Sequence, residues 1–174
     1  MRIYTKILAK RLKPLLQKIL QPYQFAAPGK TITDATTLLR DLHDYVATRN
    51  LKAFFISLEF EKAFDSVNHE WLYTVLKKMN FPNSFLKIVE SLYTNATSEI
   101  LINGHLTKPI KMEKGIRQGD TLSLFLFLLT ANPSVTQIQK DSTTQGIRIP
   151  GSHTVKNVSY ADDITITITG KQAV

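Results

Sequence analysis

Thr154-Val155-Lys156-Asn157-Val158-Ser159-Tyr160-Ala161-Asp162-Asp163-Ile164-Thr165-Ile166-Thr167-Ile168-Thr169 is the stretch that decides the fold. From Ile164 onward it alternates β-branched residues with strict period two, and the residues from Thr154 to Val158 are strand-like as well. Ser159 to Asp163 then reads as the tip of a hairpin. Two adjacent carboxylates at such a tip repel each other, and a divalent ion is the simplest partner, because hard cations prefer carboxylate oxygens. Ordinary turn chemistry also accounts for an Asp-Asp pair, so the choice rests on the rest of the chain.

Upstream, Ala53-Phe54-Phe55-Ile56-Ser57-Leu58 is a nearly continuous apolar run, the pattern of a strand buried on both faces. It empties into Glu59-Phe60-Glu61-Lys62-Ala63-Phe64-Asp65, which puts carboxylates at a strand end, where open sheets place ligands. Asn68 is set to cap a helix carrying Trp71, Leu72, Val75, Leu76 and Met79. A further helix starts at Asn83 or Ser84, with Phe85, Leu86, Ile88, Val89 and Leu92 inward. Glu99 to Leu106 contains an Asn-Gly hairpin signal. Gly115-Ile116-Arg117-Gln118-Gly119-Asp120 forms a loop that enters an apolar helix from about Leu122 to Gln139, and Gly146 to Gly151 is a short strand and turn.

At the N-terminus, Ile3, Ile7, Leu8, Leu12, Leu15, Leu16 and Ile19 fall on one helical face, and Arg2, Lys6, Lys10 and Lys13 on another. Pro14 is expected to kink or divide this helix. Ala27-Pro28-Gly29-Lys30 is a loop, and its Gly-Lys pair lacks the spacing of a P-loop. Thr33 or Asp34 is the expected cap of a second helix with Leu38, Leu39, Leu42, Tyr45 and Val46 inward. Helices interrupt the strands without regular alternation. The fold class is therefore α+β, with helices on one face of a largely antiparallel sheet.

The 174 residues suit one domain, and a formal net charge of +8 with a pI near 9.7 favours an anionic partner, nucleic acid first. The absence of cysteine excludes disulfides and thiolate zinc sites. The longest apolar run, Leu124 to Leu129, is too short to span a bilayer, and the N-terminus lacks a signal-peptide core. Its basic, amphipathic character resembles a transit peptide only slightly, and its apolar stripe suits packing better. An intracellular location, nucleus or cytoplasm, with no membrane partner, is the expectation. His43, His69, His105 and His153 are scattered, which disfavours an unrelated metallophosphatase or nuclease.

Taken together, these segments resemble the reverse transcriptase domain of a non-LTR (LINE-type) retrotransposon. Tyr160-Ala161-Asp162-Asp163 matches the family's Tyr/Phe-Ala-Asp-Asp box. Ser57-Leu58-Glu59-Phe60-Glu61-Lys62-Ala63-Phe64-Asp65 resembles Ser-hydrophobic-Asp-x-Glu-Lys-Ala-Phe-Asp, and Gly115-Ile116-Arg117-Gln118-Gly119-Asp120-Thr121-Leu122-Ser123 resembles Gly-x-Arg-Gln-Gly-Cys-Pro-Leu-Ser. Leu101-Ile102-Asn103-Gly104 and Lys6-Ile7-Leu8-Ala9-Lys10-Arg11-Leu12 are family-like too, in the family's order and spacing along essentially the whole chain. The resemblance implies a right-hand polymerase, with residues 51–174 as palm and 1–50 as part of the fingers.

It further implies an RNA-directed DNA polymerase that extends a DNA primer on an RNA template with deoxynucleoside triphosphates. Two Mg²⁺ ions, with Mn²⁺ as a possible substitute, would be held about 4 Å apart. Glu59, Asp162 and Asp163 would be the catalytic and metal-site carboxylates. Phe64 would be the steric gate beneath the sugar, and Phe60, Arg117, Gln118, Gly119 and Tyr160 would line the nucleotide and template pocket.

The chain also departs from the family pattern. Glu59 stands at the first metal-binding Asp, and its extra methylene displaces the carboxylate; a shift of about 1 Å can cost on the order of a hundredfold in rate. Asp65 lies on the helix side of that box. Asp120-Thr121 replaces Cys-Pro and adds negative charge near a triphosphate pocket, Leu124 replaces Pro, and Asn132 replaces Glu. The family's Arg-Pro-x-x-Leu fingers segment would lie upstream of Met1 and its thumb beyond Val174, which predicts weak duplex retention. The alternative expectation is a catalytically inactive retroelement remnant that binds nucleic acid or a protein partner.

Overall fold

The structure is a computed structural model that describes residues 2–151 and 153–170; Met1, Ser152, residues 171–174 and the Arg2 side chain lie outside the description. Helix α1 (Arg2–Ile19) buries Leu8, Leu12 and Leu16, with Leu20 continuing the stripe just past its end. A spacing of four keeps one side facing inward. Ile3 (77% exposed), Ile7 and Leu15 point outward instead, because Ile7 and Leu15 sit one residue, about 100° of rotation, before Leu8 and Leu16. The helix runs unbroken through Pro14. Pro14 and Lys10 are both exposed, so water can take up the carbonyl that the ring frees.

Helix α2 (Ile32–Thr48) is capped by Thr31, two to three residues before the expected cap. The Thr31 hydroxyl accepts from the Asp34 N–H at 3.3 Å, and the Asp34 carboxylate accepts from the Thr31 N–H at 2.7 Å, a reciprocal capping box. Strand β1 (Ala53–Leu58) leads into the short helix α3 (Ala63–Ser66) and then α4 (His69–Lys78), where Asn68 Oδ1 accepts from the Trp71 N–H at 2.9 Å as foreseen. Helix α5 (Asn83–Tyr93) follows, then a small arm of four strands: β2 (Thr97–Ser98), β3 (Leu101–Ile102), β4 (His105–Leu106) and β5 (Ile110–Lys111). The β3–β4 turn takes positive φ at both Asn103 (48°) and Gly104 (84°), which is why Asn-Gly stands there.

Helix α6 (Thr121–Lys140) precedes β6 (Ile147–Arg148), β7 (Thr154–Val155), β8 (Asn157–Tyr160) and β9 (Asp163–Thr169). By length and composition α6 is apolar enough to cross a membrane, but half of its apolar window is buried against the fold, where it packs on α1 and α4. The stretch from Thr154 to Val158 is two strands, because the Lys156 N–H bonds to Gln139 Oε1 at 3.2 Å and leaves the ladder.

The central sheet has the order β1-β9-β8, and every strand pair in the molecule's sheets is antiparallel. One face carries Phe55 and Val158 against Leu38, Leu39, Leu42, Tyr45 and Val46 of α2. The other face contradicts the expectation of a doubly buried β1: Phe54, Ile56 and Leu58 are 64%, 43% and 44% exposed. β1 is an edge strand paired only with β9, so its outer face lacks a covering layer among the described residues.

Beyond α6 the chain turns on Asp141, whose carboxylate accepts from the Thr143 and Thr144 hydroxyls and N–H groups. These bonds, the Thr144 hydroxyl first, hold its pKa down to about 2 from an ordinary 3.8. A depressed folded-state pKa adds stability that is present above the ordinary value and is lost as the pH falls through the folded one. Asp141→Asn is therefore expected to lower the melting temperature at neutral pH, with the gap to the parent protein closing as pH falls from 3.8 to about 2. Thermal melts across that range check it.

Candidate active site

The hairpin between β8 and β9 is as tight as the chain allows. Tyr160 pairs with Asp163, so only Ala161 and Asp162 form the turn. Ala161 has φ of 54°, a left-handed conformation that costs an L-residue roughly 1–2 kcal/mol. It persists because a side chain holds it on both sides: the Ala161 N–H donates to Gln24 Oε1 at 2.9 Å, and Gln24 Nε2 donates to the Ala161 carbonyl at 3.3 Å. Such strain survives only where its surroundings over-determine it.

Gln24 is itself fixed. Ser159 donates its N–H to the Tyr23 carbonyl at 2.9 Å and accepts from the Phe25 N–H at 2.7 Å, so Gln24 is held beside β8 by a single parallel bridge to Ser159. Lys30 donates to the carbonyls of Pro22 and Gln24 and sits 5.1 Å from the Phe25 ring centroid. Burial lowers the pKa of this ammonium, with Asp34 opposing. The Gly29-Lys30 pair thus has a structural task. The sequence reading missed Gln24, and no local signal marks it.

The other segments meet the hairpin in one core. Ala63, Ile116, Phe127 and Ala161 belong to a single buried cluster, with Phe64 packed against it. Phe64 stacks on Phe127 at 5.3 Å between centroids, and Phe60 meets the same ring edge-on at 6.5 Å. The Gly115 N–H donates to the Val67 carbonyl at 2.8 Å, the Ile116 N–H to the Phe64 carbonyl at 2.9 Å, and His69 Nε2 lies 2.7 Å from the Gly115 carbonyl. Gly115 has φ of 95°, and a Cβ there would stand 3.2 Å from the Asp65 backbone, so this close approach requires glycine.

Gln118 Nε2 donates to Asp65 Oδ1 at 3.3 Å, Arg117 Nη2 donates to the Leu92 carbonyl at 3.4 Å, and Gly119 is exposed beside them. Asp120 caps α6: its Oδ1 accepts from the Leu122 N–H at 3.1 Å, which engages the charge that the sequence placed near a phosphate pocket. Tyr93, buried next to this loop, has its phenol pKa raised by burial, with a Ser123 hydrogen bond opposing.

Glu59 follows Leu58, the last β1 residue in register, which pairs with Ile164. Glu59 thus leaves β1 at the end where Ile164, the residue after Asp163, stands opposite Leu58. The three carboxylates are the right donors for a hard divalent ion. Their side chains do not close into a metal-holding group: among the described residues, no three His, Cys, Asp or Glu side chains are so arranged.

The whole chain, residues 1–174, matches the family model described as reverse transcriptase (RNA-dependent DNA polymerase). It is 34% identical over 166 residues to an uncharacterized 149 kDa protein of transposon TX1 from Xenopus laevis, covering 95% of this chain and 13% of that one. It is 25% identical to the Pol polyprotein of the type-2 retrotransposable element R2DM from Drosophila melanogaster (95% of this chain, 15% of that protein). It is also 27% identical over 128 residues to a type-1 R2 polyprotein from Popillia japonica, covering 72% of this chain and 21% of that one. The chain thus spans less than a quarter of the length of these relatives. A structure of apo telomerase from Candida tropicalis, truncated from its C-terminal domain, superposes with a TM-score of 0.65 at 15% identity over 97% of this chain and 35% of that one. The fold is that of a right-hand polymerase.

Gln24→Leu would leave the Ala161 N–H and carbonyl unmet in a buried site, so it is expected to cost about 2 kcal/mol or more. Chemical denaturation measures this directly, and a loss indistinguishable from zero would show that the turn does not depend on Gln24.

Proposed function

Because the chain belongs to the reverse transcriptase (RNA-dependent DNA polymerase) family, we propose that it is the polymerising domain of a non-LTR retrotransposon, adding deoxynucleotides to a DNA primer on an RNA template. The observation that carries this reading is the convergence of three segments, some fifty residues apart, on one core cluster containing Ala63, Ile116 and Ala161. Residues 51–174 form the palm and residues 1–50 part of the fingers, acting inside the cell without a membrane.

In this reading the primer 3′-hydroxyl attacks the α-phosphorus of the incoming nucleotide, a P–O bond forms, and pyrophosphate leaves in line. Glu59, Asp162 and Asp163 would hold Mg²⁺, which supplies charge neutralisation for the triphosphate and favours ionisation of the attacking hydroxyl. The chain's other side chains position and select. Phe64, braced by Phe127, closes the space beneath the sugar and rejects a 2′-hydroxyl. Arg117, Gln118 and Gly119 line the nucleotide and template pocket on a loop strapped to the Phe64–Val67 turn, and Phe60 and Tyr160 complete its walls.

A second reading, an inactive remnant that binds nucleic acid or a protein partner, is favoured by one specific observation. Glu59 stands where the family has Asp, and Glu59, Asp162 and Asp163 do not together form a group that could hold a metal ion. Primer extension on an RNA template with Mg²⁺ or Mn²⁺ separates the two. Polymerisation predicts incorporation that is lost in Asp162→Asn and rises on the order of a hundredfold in Glu59→Asp. Binding without incorporation in the parent and in Glu59→Asp would establish the remnant, and equal incorporation in all three proteins would identify a contaminating polymerase.

A further inference from the structure

A cavity of about 880 Å³ lies away from the hairpin tip. Thr169, at the far end of β9, forms part of its wall, six residues from Asp163. At the rise of a β-strand this is about 20 Å from the Asp pair. Three cations line it: Arg49 from the end of α2, Arg148 from β6, and Lys156 between β7 and β8. Its lining residues include no Asp or Glu. The Asp141 carboxylate, on the loop that leads into it, is taken up by Thr143 and Thr144. Neither Arg49 nor Arg148 forms an ion pair among the described residues.

Like charges brought together without a counter-ion destabilise a fold unless a ligand supplies the opposite charge. Guanidinium groups match phosphate oxygens bidentately. Arg49 is pre-positioned over the Tyr45 ring, at 5.7 Å from its centroid, and Lys156 is tethered by the Asp141 carbonyl. The volume falls within the range that accepts a nucleotide-sized group.

We propose that this cavity is a phosphate-binding site for a single-stranded segment of nucleic acid, separate from the polymerising centre. Interpreting it as an anchor for the template strand rests on the polymerase assignment, whereas the phosphate site itself does not. A strand held at both places would be gripped across the length of the sheet.

The test is binding of a short labelled single-stranded RNA, followed by fluorescence anisotropy over a salt series, by the parent chain, the R49A/R148A variant and K77A/K78A, which removes two exposed lysines of α4 outside the cavity. Both arginines are exposed, so the variant should keep its fold, which circular dichroism checks. With the two contacts removed, affinity at moderate salt should drop on the order of tenfold and the log–log salt slope should shrink by about 1.4. K77A/K78A should bind as the parent does. In parallel, amide NMR shifts of the parent chain on titration with the RNA, or with pyrophosphate, locate the site even if the variant misfolds.

Shifts at Gly146, Arg148 and Thr154 with RNA are the expected result. Shifts there with pyrophosphate alone would replace the strand with a small anion. An unchanged affinity and slope in R49A/R148A, or RNA shifts confined to residues near Glu59 and Gln118, would overturn the proposal. A chain that never extends a primer would sink the polymerase reading while leaving these readouts intact.

Discussion

The two hydrogen bonds between the Gln24 side chain and the Ala161 backbone are the constraint on which the rest of the site depends. Ala161 must adopt a left-handed conformation for Tyr160 to pair with Asp163 and for the two aspartates to stand at the tip. Alanine resists that conformation, and the nearby Ala161 side chain is buried in the core rather than free to relax. An amide group from elsewhere in the chain offers a donor and an acceptor in the right pair. The segment carrying it is bridged to β8 at Ser159, and Lys30 fixes its carbonyls. In this way the N-terminal helices and the hairpin become one structural unit.

A similar economy governs the loop before α6. Its backbone is strapped to the carbonyls of Phe64 and Val67, and Gly115 permits the approach. The aromatic pair Phe60 and Phe64 meets Phe127 from two sides, so the segment after β1 cannot swing without disturbing α6. Asp120 closes the helix N-terminus with its own carboxylate. That residue solves a local problem, because exposed N–H groups at a helix start need acceptors. The Gln21, Asn132 and Asn157 side chains perform a comparable service where α1, α6 and β8 meet: Asn132 Oδ1 accepts from the Gln21 N–H at 2.9 Å, and Gln21 Nε2 donates to Asn157 Oδ1 at 3.4 Å.

Much of this was legible in the residues. The Ile-Thr alternation gave β9, Asn-Gly gave the small hairpin, Asn68 gave the start of α4, and the ordered boxes gave the family. Where the reading failed, the cause was tertiary. Periodicity shows that Phe54, Ile56 and Leu58 share a face but not whether anything covers it. The cap of α2 moved to Thr31 because a capping box with Asp34 uses both partners, whereas either expected residue alone uses one. Gln24 was invisible because its partners are backbone groups 137 residues away, and no local pattern marks a side chain that serves a distant turn. The cavity rimmed by Arg49, Arg148 and Lys156 was equally hidden, since its three cations come from separate elements.

The proposed function turns on whether Glu59, Asp162 and Asp163 serve one divalent ion between the end of β1 and the hairpin tip. Paramagnetic broadening of backbone amides by sparing amounts of Mn²⁺ tests it most directly, since the effect falls off steeply with distance from the ion. The account predicts that Glu59, Phe60, Asp162 and Asp163 broaden first and together, and that Asp162→Asn protects all four. Broadening centred on another acidic stretch, such as Asp41 and Asp44 on α2, or unchanged by that substitution, would contradict it.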